Sequence, residues 1–371
     1  MGSMTRNRCV NDAKPTSPSV RHYAERAADG VGLIVAEGTF IAPHGAEWPN
    51  APVMFDQEHV RTWKKVTDEV HRVGGKMLFQ PWHPGRIQND DMPMLKKYNY
   101  PVQAPSKGHT ENITEIEDPK KIVEQFRHSV ILAKEAGFDG IELLSQGGYL
   151  LHNFLCSHTN LRTDTYGGSI PNRCRFPLEV LDAIISIWGS RLVGIKICPP
   201  DDYNDSAVSY AEFTEKYNYF ITELMKRDLG FINLPRRGCN VGRNQDDYFK
   251  SPPRGQGKEL PDGYDPVKQF GGMIKYPGSR TMLMVNHEYT PREAEGLVVS
   301  GKIDLACFAR PFIYNPVSLR FLFGMIDFVS RLKAGKDFAV NDRGKTVNYG
   351  PFESPDENYN NWLRATAAAT A

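Results

Sequence analysis

Short apolar runs recur along the chain, separated by longer stretches in which apolar residues return every three or four positions. Seven runs read as strands: Gly32–Glu37, Lys76–Gln80, Gly140–Leu144, Val193–Ile197, Phe231–Leu234, Thr281–Val285 and Ile303–Phe308. Between them, His59–Val73, Ile122–Ala136 and Pro177–Trp188 carry the amphipathic period of helices. Another helix opens at Pro291, with Thr290 as its N-cap and Glu293 completing a capping box. Strands alternating with helices predict a parallel sheet wound through crossover connections. A closed barrel of this kind wants eight strands, and only seven are visible. Nothing before Thr5 reads as the eighth, so either the N-terminus is truncated or another segment or chain covers the gap.

Bulk properties narrow the function. The 371 residues are enough for one barrel unit with a large core. With 40% apolar residues, 24% charged residues and a formal net charge of +1, no strong field favours nucleic acid or an anionic membrane. No apolar run approaches the roughly 20 residues needed to span a bilayer. The six cysteines (Cys9, Cys156, Cys174, Cys198, Cys239 and Cys307) form no C-x-x-C pair and read as reduced core thiols of a cytoplasmic protein. Met1-Gly2-Ser3-Met4 reads as a cloning remnant ahead of a native Met4. Residues 5–350 form the expected barrel, in which 236–272, rich in Gly, Pro, Asp and Arg, is a lid or a surface insertion. The tail 351–371 is polar and ends in an Ala/Thr run that is expected to fray.

Three stretches carry a resemblance. Thr5-Arg6-Asn7-Arg8, Gln80-Pro81-Trp82-His83-Pro84-Gly85-Arg86 and the long run from Gly148 through Asn160-Leu161-Arg162 to Tyr166-Gly167-Gly168-Ser169 and Arg173 resemble the Old Yellow Enzyme family, as does Phe308-Ala309-Arg310-Pro311. The resemblance implies a TIM (β/α)8 barrel, here without its first strand, with FMN over the C-terminal mouth. It places Thr5, Gly38, Gln80, Lys196 and Arg310 at the family's FMN positions and Tyr149 at its proton donor. The pair that anchors the substrate carbonyl in the family becomes Leu144 and Gly147, neither of which has a side-chain donor. The phosphate loop, N-G-G-x-T in the family, reads Asn286-His287-Glu288-Tyr289-Thr290, and the following Gly-Arg reads Ala309-Arg310. Side chains at His287 and Glu288 should obstruct the backbone cradle. A carboxylate about 4 Å from a phosphate costs on the order of 4 kcal/mol per unit-charge pair at an effective dielectric near 20.

The leading expectation is therefore a barrel without cofactor. It would promote a non-redox cyclisation or isomerisation of a small polyketide-, terpenoid- or alkaloid-like intermediate, with Tyr149, His152, Lys196 and Gln80 as catalytic groups. The alternative is an FMN- and NADPH-dependent ene-reductase or flavin-dependent isomerase acting on an enone, with Tyr149 as proton donor. A non-catalytic binding paralogue is the third reading. Glu37 and Glu142 could pair as in a glycosidase, but read better as scaffold. No metal-binding spacing, nucleophile elbow or P-loop appears, and Gly147-Gly148 is too short for a dinucleotide fingerprint. The partner is expected to be an apolar or enone-bearing small molecule, with no nucleic acid and no membrane, and the chain a candidate homo-oligomer.

Overall fold

The computed structural model describes residues 1–45, 48–108, 112–238, 254–315 and 328–339, with 352, 354, 356–360 and 362 of the tail. All seven expected strands form. They are β1 Ile34–Val35, β2 Met77–Phe79, β3 Gly140–Ser145, β4 Val193–Ile197, β5 Phe231–Pro235, β6 Met282–Asn286 and β7 Leu305–Cys307. They lie in chain order in one sheet, every pairing parallel. Helices α1 Ser17–Ala28, α2 Gln57–Arg72, α3 Pro119–Glu135, α4 Ile170–Trp188, α5 Tyr210–Met225, α6 Pro266–Ile274 and α7 Pro291–Val299 accompany it. This is the (β/α) barrel architecture that the sequence predicts.

Strand alternation sorts the side chains into two layers. Ile141, Leu143, Ile195, Ile197, Ile232, Leu234, Leu283 and Val285 are fully buried in the large cluster shared with the helices. The alternate positions turn inward. A plug of Val35, Leu78, Phe231, Met284 and Cys307 fills the interior. Gly194 makes room for it, since a Cβ there would lie 2.3 Å from the Phe231 ring. Level with Met284 at the top of that plug stand Leu144, Lys196 and Asn233. Here the interior is polar: Gln80 Nε2 and Asn233 Nδ2 donate to the two oxygens of Glu142, at 2.7 and 2.8 Å.

The gap between β1 and β7 is spanned by the first three residues, which corrects the expectation that nothing before Thr5 could serve there. The Met1 carbonyl accepts from Val35 N–H at 2.9 Å, and Gly2 N–H donates to Phe308 O at 2.7 Å. Glycine fits because a Cβ at residue 2 would come within 2.8 Å of Cys307 Sγ. Ser3 Oγ then donates to Gln80 Oε1 at 2.7 Å. Residues 1–3 thus supply backbone on both sides of the seam.

Helix starts follow their caps. Asp56 accepts from Glu58 and His59 N–H to open α2, and Thr290 accepts from Glu293 N–H at 3.2 Å to open α7 as the expected N-cap, whereas the Glu293 carboxylate pairs with Arg236 instead of completing the expected capping box. α4 starts seven residues before Pro177, with Ser169 as its cap, and runs through the proline. The segment 236–272 is not one loop, because Asp265 caps α6 within it; 239–253 lie outside the described residues. In the tail, Tyr359 is fully buried, stacked on His22 at 4.0 Å and approached by the Arg6 and Arg8 guanidinium groups. That part of the tail is packed, whereas 363–371 lie outside the described residues. Cys9, Cys156, Cys174, Cys198 and Cys307 are free and buried; Cys239 is not described. Among the described residues, no helix is long and apolar enough to cross a membrane.

Candidate functional site

A cavity of about 500 Å³ opens where the strands end, and its wall brings together residues far apart in the chain. Barrel geometry explains the placement, since inward side chains at strand ends and the loops beyond them converge on one mouth. Thr5, Gly38, Gln80, Tyr149, Lys196 and Arg310 all line it, as do His287, Glu288 and Ala309. A second concavity of about 460 Å³ lies between α1 and α2 and holds none of these groups.

One end of the cavity is cationic. Among the described residues, Lys196, Arg237 and Arg310 line it against the single carboxylate of Glu288. Glu288 is ion-paired with Arg237, and its carbonyl accepts from Arg236 at 3.3 Å. The charge expected to repel a phosphate is therefore already matched. His287 is pushed down to about 3, first by burial and then by Arg310, Arg237 and Lys196, so its ring is neutral at pH 7. Both His287 and Glu288 hold left-handed backbone, at φ 65° and 60°. The loop keeps the shape that glycines would give it, at a cost of about 1–2 kcal/mol per residue. Lys196 is 8% exposed, and among the described residues its amine has no hydrogen-bond or ion-pair partner. Standing on the cavity wall, that ammonium is available to a ligand with an acceptor or an anionic group.

Fixed polar groups stand beside it. Gln80 is held at both ends, by Ser3 and by Glu142. Glu142 is thereby spent inside the barrel, and Glu37 accepts from Arg6 N–H at 2.9 Å and from Tyr23 Oη at 3.3 Å. The two carboxylates are scaffold, not a glycosidase pair. Gly38 passes under Trp82, where a Cβ would lie 3.2 Å from the indole.

The opposite wall is the turn after β3. Gly147 and Gly148, at φ 74° and 66°, reverse the chain, and Tyr149 N–H closes the turn on Gln146 O at 3.4 Å. Asp201 receives Gly147 N–H at 2.5 Å and Tyr203 N–H at 3.1 Å. Burial raises the Asp201 carboxyl to about 6. Asn204 Nδ2 donates to Gly147 O at 2.8 Å. The Tyr149 ring lies over Gly147, so that a Cβ there would sit 2.7 Å from it, and meets the Trp82 face edge-on at 4.9 Å. The tyrosine thus occupies the space into which a longer residue 147 would project. Leu144 packs beside them.

One expected catalytic group, His152, is absent from the wall, and so is His83 of the Gln80–Arg86 motif. His152 is 1% exposed behind the turn, its Nδ1 accepting from Gly148 N–H at 3.2 Å, and burial holds it well below the usual histidine range. His83 accepts from Gly85 N–H at 3.0 Å, packs against the tilted His44 ring at 3.9 Å and is pushed down to about 3 by burial. Both rings are structural here. Conversely, Arg237 and Gln146 line the cavity without having been singled out in the sequence. Arg237 sits in a stretch without period, and Gln146 falls between the two motif positions that drew attention. Among the described residues, no cluster of side chains suits a metal ion.

Residues 1–322 match the family described as NADH:flavin oxidoreductase / NADH oxidase. A putative 12-oxophytodienoate reductase 5 of Oryza sativa subsp. japonica is 31% identical over 334 residues, 85% of this chain and 80% of the relative. An NADP-dependent oxidoreductase of Aspergillus flavus is 30% identical over 352 residues, 92% of this chain and 87% of the relative. Among solved structures, morphinone reductase superposes with a TM-score of 0.79 at 27% identity, covering 98% of this chain and 91% of its own. An old yellow enzyme homologue from Zymomonas mobilis gives 0.78 at 25% identity, covering 98% and 94%. These relations overturn the expectation of a chain without cofactor, and the geometric ground for it fails with them, since Arg237 takes the charge of Glu288. The non-redox cyclisation rested on that ground and has no observation in its favour. The chain belongs to the NADH:flavin oxidoreductase family, the Old Yellow Enzymes.

Proposed function

We propose that this chain is an FMN-dependent reductase that draws on NADPH to saturate an activated carbon–carbon double bond. The observation that carries the reading is the cationic end of the cavity. A left-handed turn at His287-Glu288 is flanked by Arg310 and by Arg237, and a buried Lys196 has no protein partner among the described residues. Such a donor set suits an anionic group with a polar ring attached. Arg310 and the backbone of the 286–288 turn would take the phosphate. Lys196, Gln80, Thr5 and Gly38 would border the ring.

When bound, FMN supplies the hydride for the β-carbon of the acceptor and is recharged by NADPH. The chain's own part is to position, to screen and to move a proton. Tyr149 Oη delivers a proton to the α-carbon, its ring held between Trp82 and the Gly147 backbone. Lys196, on the cavity wall, balances negative charge there. Trp48, Trp82, Leu144 and Phe308 offer apolar surface to the body of the substrate. Two relatives are named as reductases of 12-oxophytodienoate and of morphinone. Both names carry a ketone, and only that class, a carbonyl-activated alkene, is carried over here.

The test is reconstitution with FMN, followed by NADPH consumption with 2-cyclohexenone under anaerobic conditions. The expected protein is yellow, with a flavin band near about 450 nm, and oxidises NADPH only when the enone is present. A chain that neither retains nor quenches added FMN would sink the proposal.

A further inference from the structure

The cavity has lost the side-chain donors that positions 144 and 147 supply elsewhere in the family, and a carbonyl-activated substrate still needs its oxygen held. We propose that Gln146 is the substrate anchor of this chain, its amide N–H donating to the carbonyl oxygen of the acceptor. The inference rests on the reductase reading and specifies how its substrate is gripped.

Among the described residues, three amide side chains line the cavity: Gln80, Gln146 and Asn286. Two are already used. Gln80 accepts from Ser3 and donates to Glu142, and Asn286 Nδ2 donates to Cys307 O at 2.7 Å. Gln146 is different. It is 7% exposed, and its Oε1 is buried without a hydrogen-bond partner. No side-chain hydrogen bond joins it to any described residue. The enclosed Oε1 is an acceptor that a substrate carbonyl cannot satisfy; the amide Nε2, which donates to no described residue and is not itself enclosed, is the end that can donate to a ligand in the cavity.

The backbone around it is fixed. Asp201 grips Gly147 N–H, Asn204 grips Gly147 O, and Tyr149 N–H returns to Gln146 O. Gln146 therefore stands at the first position of a clamped turn, three residues before Tyr149, on the same wall. Direct restoration of a longer side chain at 147 is blocked by the tyrosine ring. Moving the donor one residue back, to 146, is the solution that this turn permits. With Leu144 in place of a second donor, the anchor is a single amide beside an apolar surface. This favours acceptors with one carbonyl on an otherwise apolar body over those with two adjacent polar groups.

Gln146→Met keeps length and flexibility and removes the donor, whereas Gln146→Asn keeps the amide on a shorter stem. Binding of 2-cyclohexenone is read from Trp48 and Trp82 fluorescence, turnover from NADPH consumption, and flavin affinity from FMN quenching. The expected result is an enone dissociation constant raised, and kcat/KM lowered, about tenfold in Gln146→Met. Partial recovery is expected in Gln146→Asn, with FMN affinity within about twofold throughout. Unchanged enone binding and kcat/KM in Gln146→Met would overturn the anchor, as would a parallel fall in FMN affinity, which would assign the amide to the flavin. If the wild-type chain takes up no FMN, the reductase reading falls, and the fluorescence titration of the flavin-free chain still decides. Weaker enone binding by the variant then supports the anchor. Equal binding, or none by the wild type, overturns it.

Discussion

Glu288 sits where the family has a glycine, in a loop expected to face a phosphate, and the cost of that carboxylate depends on where its charge goes. Arg237 pairs with it, while Arg310 and Lys196 stand on the same wall. Removal of Arg237 leaves Glu288 uncompensated near the anion. Removal of both leaves the other two cations in place. At an effective dielectric near 20, a carboxylate about 4 Å from a phosphate costs on the order of 4 kcal/mol per unit-charge pair, and solvent at the mouth reduces this. Arg237→Ala is therefore expected to weaken FMN binding by about tenfold or more, and Arg237→Ala with Glu288→Gln to recover most of it. Fluorescence titration of FMN against the three proteins checks this. Equal losses in the single and double variants would mean that the pair does not act as a unit.

The secondary-structure elements were largely legible in the sequence, and the loops that join them to chemistry were not. Strand β4 and its neighbours appear as apolar runs because their outward residues pack under helices, whereas their inward residues include a lysine and an asparagine that only the fold explains. The start of α4 was hidden by Pro177, since a proline usually marks a first turn; Ser169 caps the helix earlier. Arg237 left no signal, because a Gly-, Pro- and Arg-rich stretch has no period to read. The turn after β3 was legible as two glycines but not as a clamp. At Gly148, φ is 66°, and a Cβ would lie 2.7 Å from Asn204 Cβ and 2.9 Å from the carbonyls of Tyr203 and Asn204. Two of these atoms are backbone and cannot swing away. Gly148→Ala is expected to destabilise the protein by about 2 kcal/mol or more and to displace Tyr149. A lower melting temperature with a parallel loss of enone turnover is the expected readout. An alanine variant that melts with the wild type would show that the turn yields more easily than its contacts imply.

At the scale of the whole molecule, the charge state of the buried histidines sets how the fold responds to acid. His22, His44 and His152 are held well below the usual range, and His83 and His287 are pushed down to about 3; burial is the first cause in every case. In the folded chain these rings stay neutral as pH falls below 6.5, whereas in the unfolded chain they take up protons there. The unfolded state therefore binds more protons, and stability drops with falling pH from about 6.5 downward, by up to about 1.4 kcal/mol per pH unit for each ring withheld. Asp201 works the other way: its carboxyl, raised to about 6 by burial, gains a proton in the folded state before it does in the unfolded one. Glu37 and Asp202, also raised by burial, add to that opposing effect at lower pH. Between pH 6.5 and 5, five histidines are set mainly against Asp201, so the histidines prevail. The urea midpoint is expected to be highest at neutral pH and clearly lower at pH 5.5. A midpoint unchanged or higher at pH 5.5 would mean that at least some of these rings are protonated inside the fold. Protonation of His287 would matter most, because a charged ring there would add a further cation beside Arg310 and Lys196 and change the field at the cationic end of the cavity.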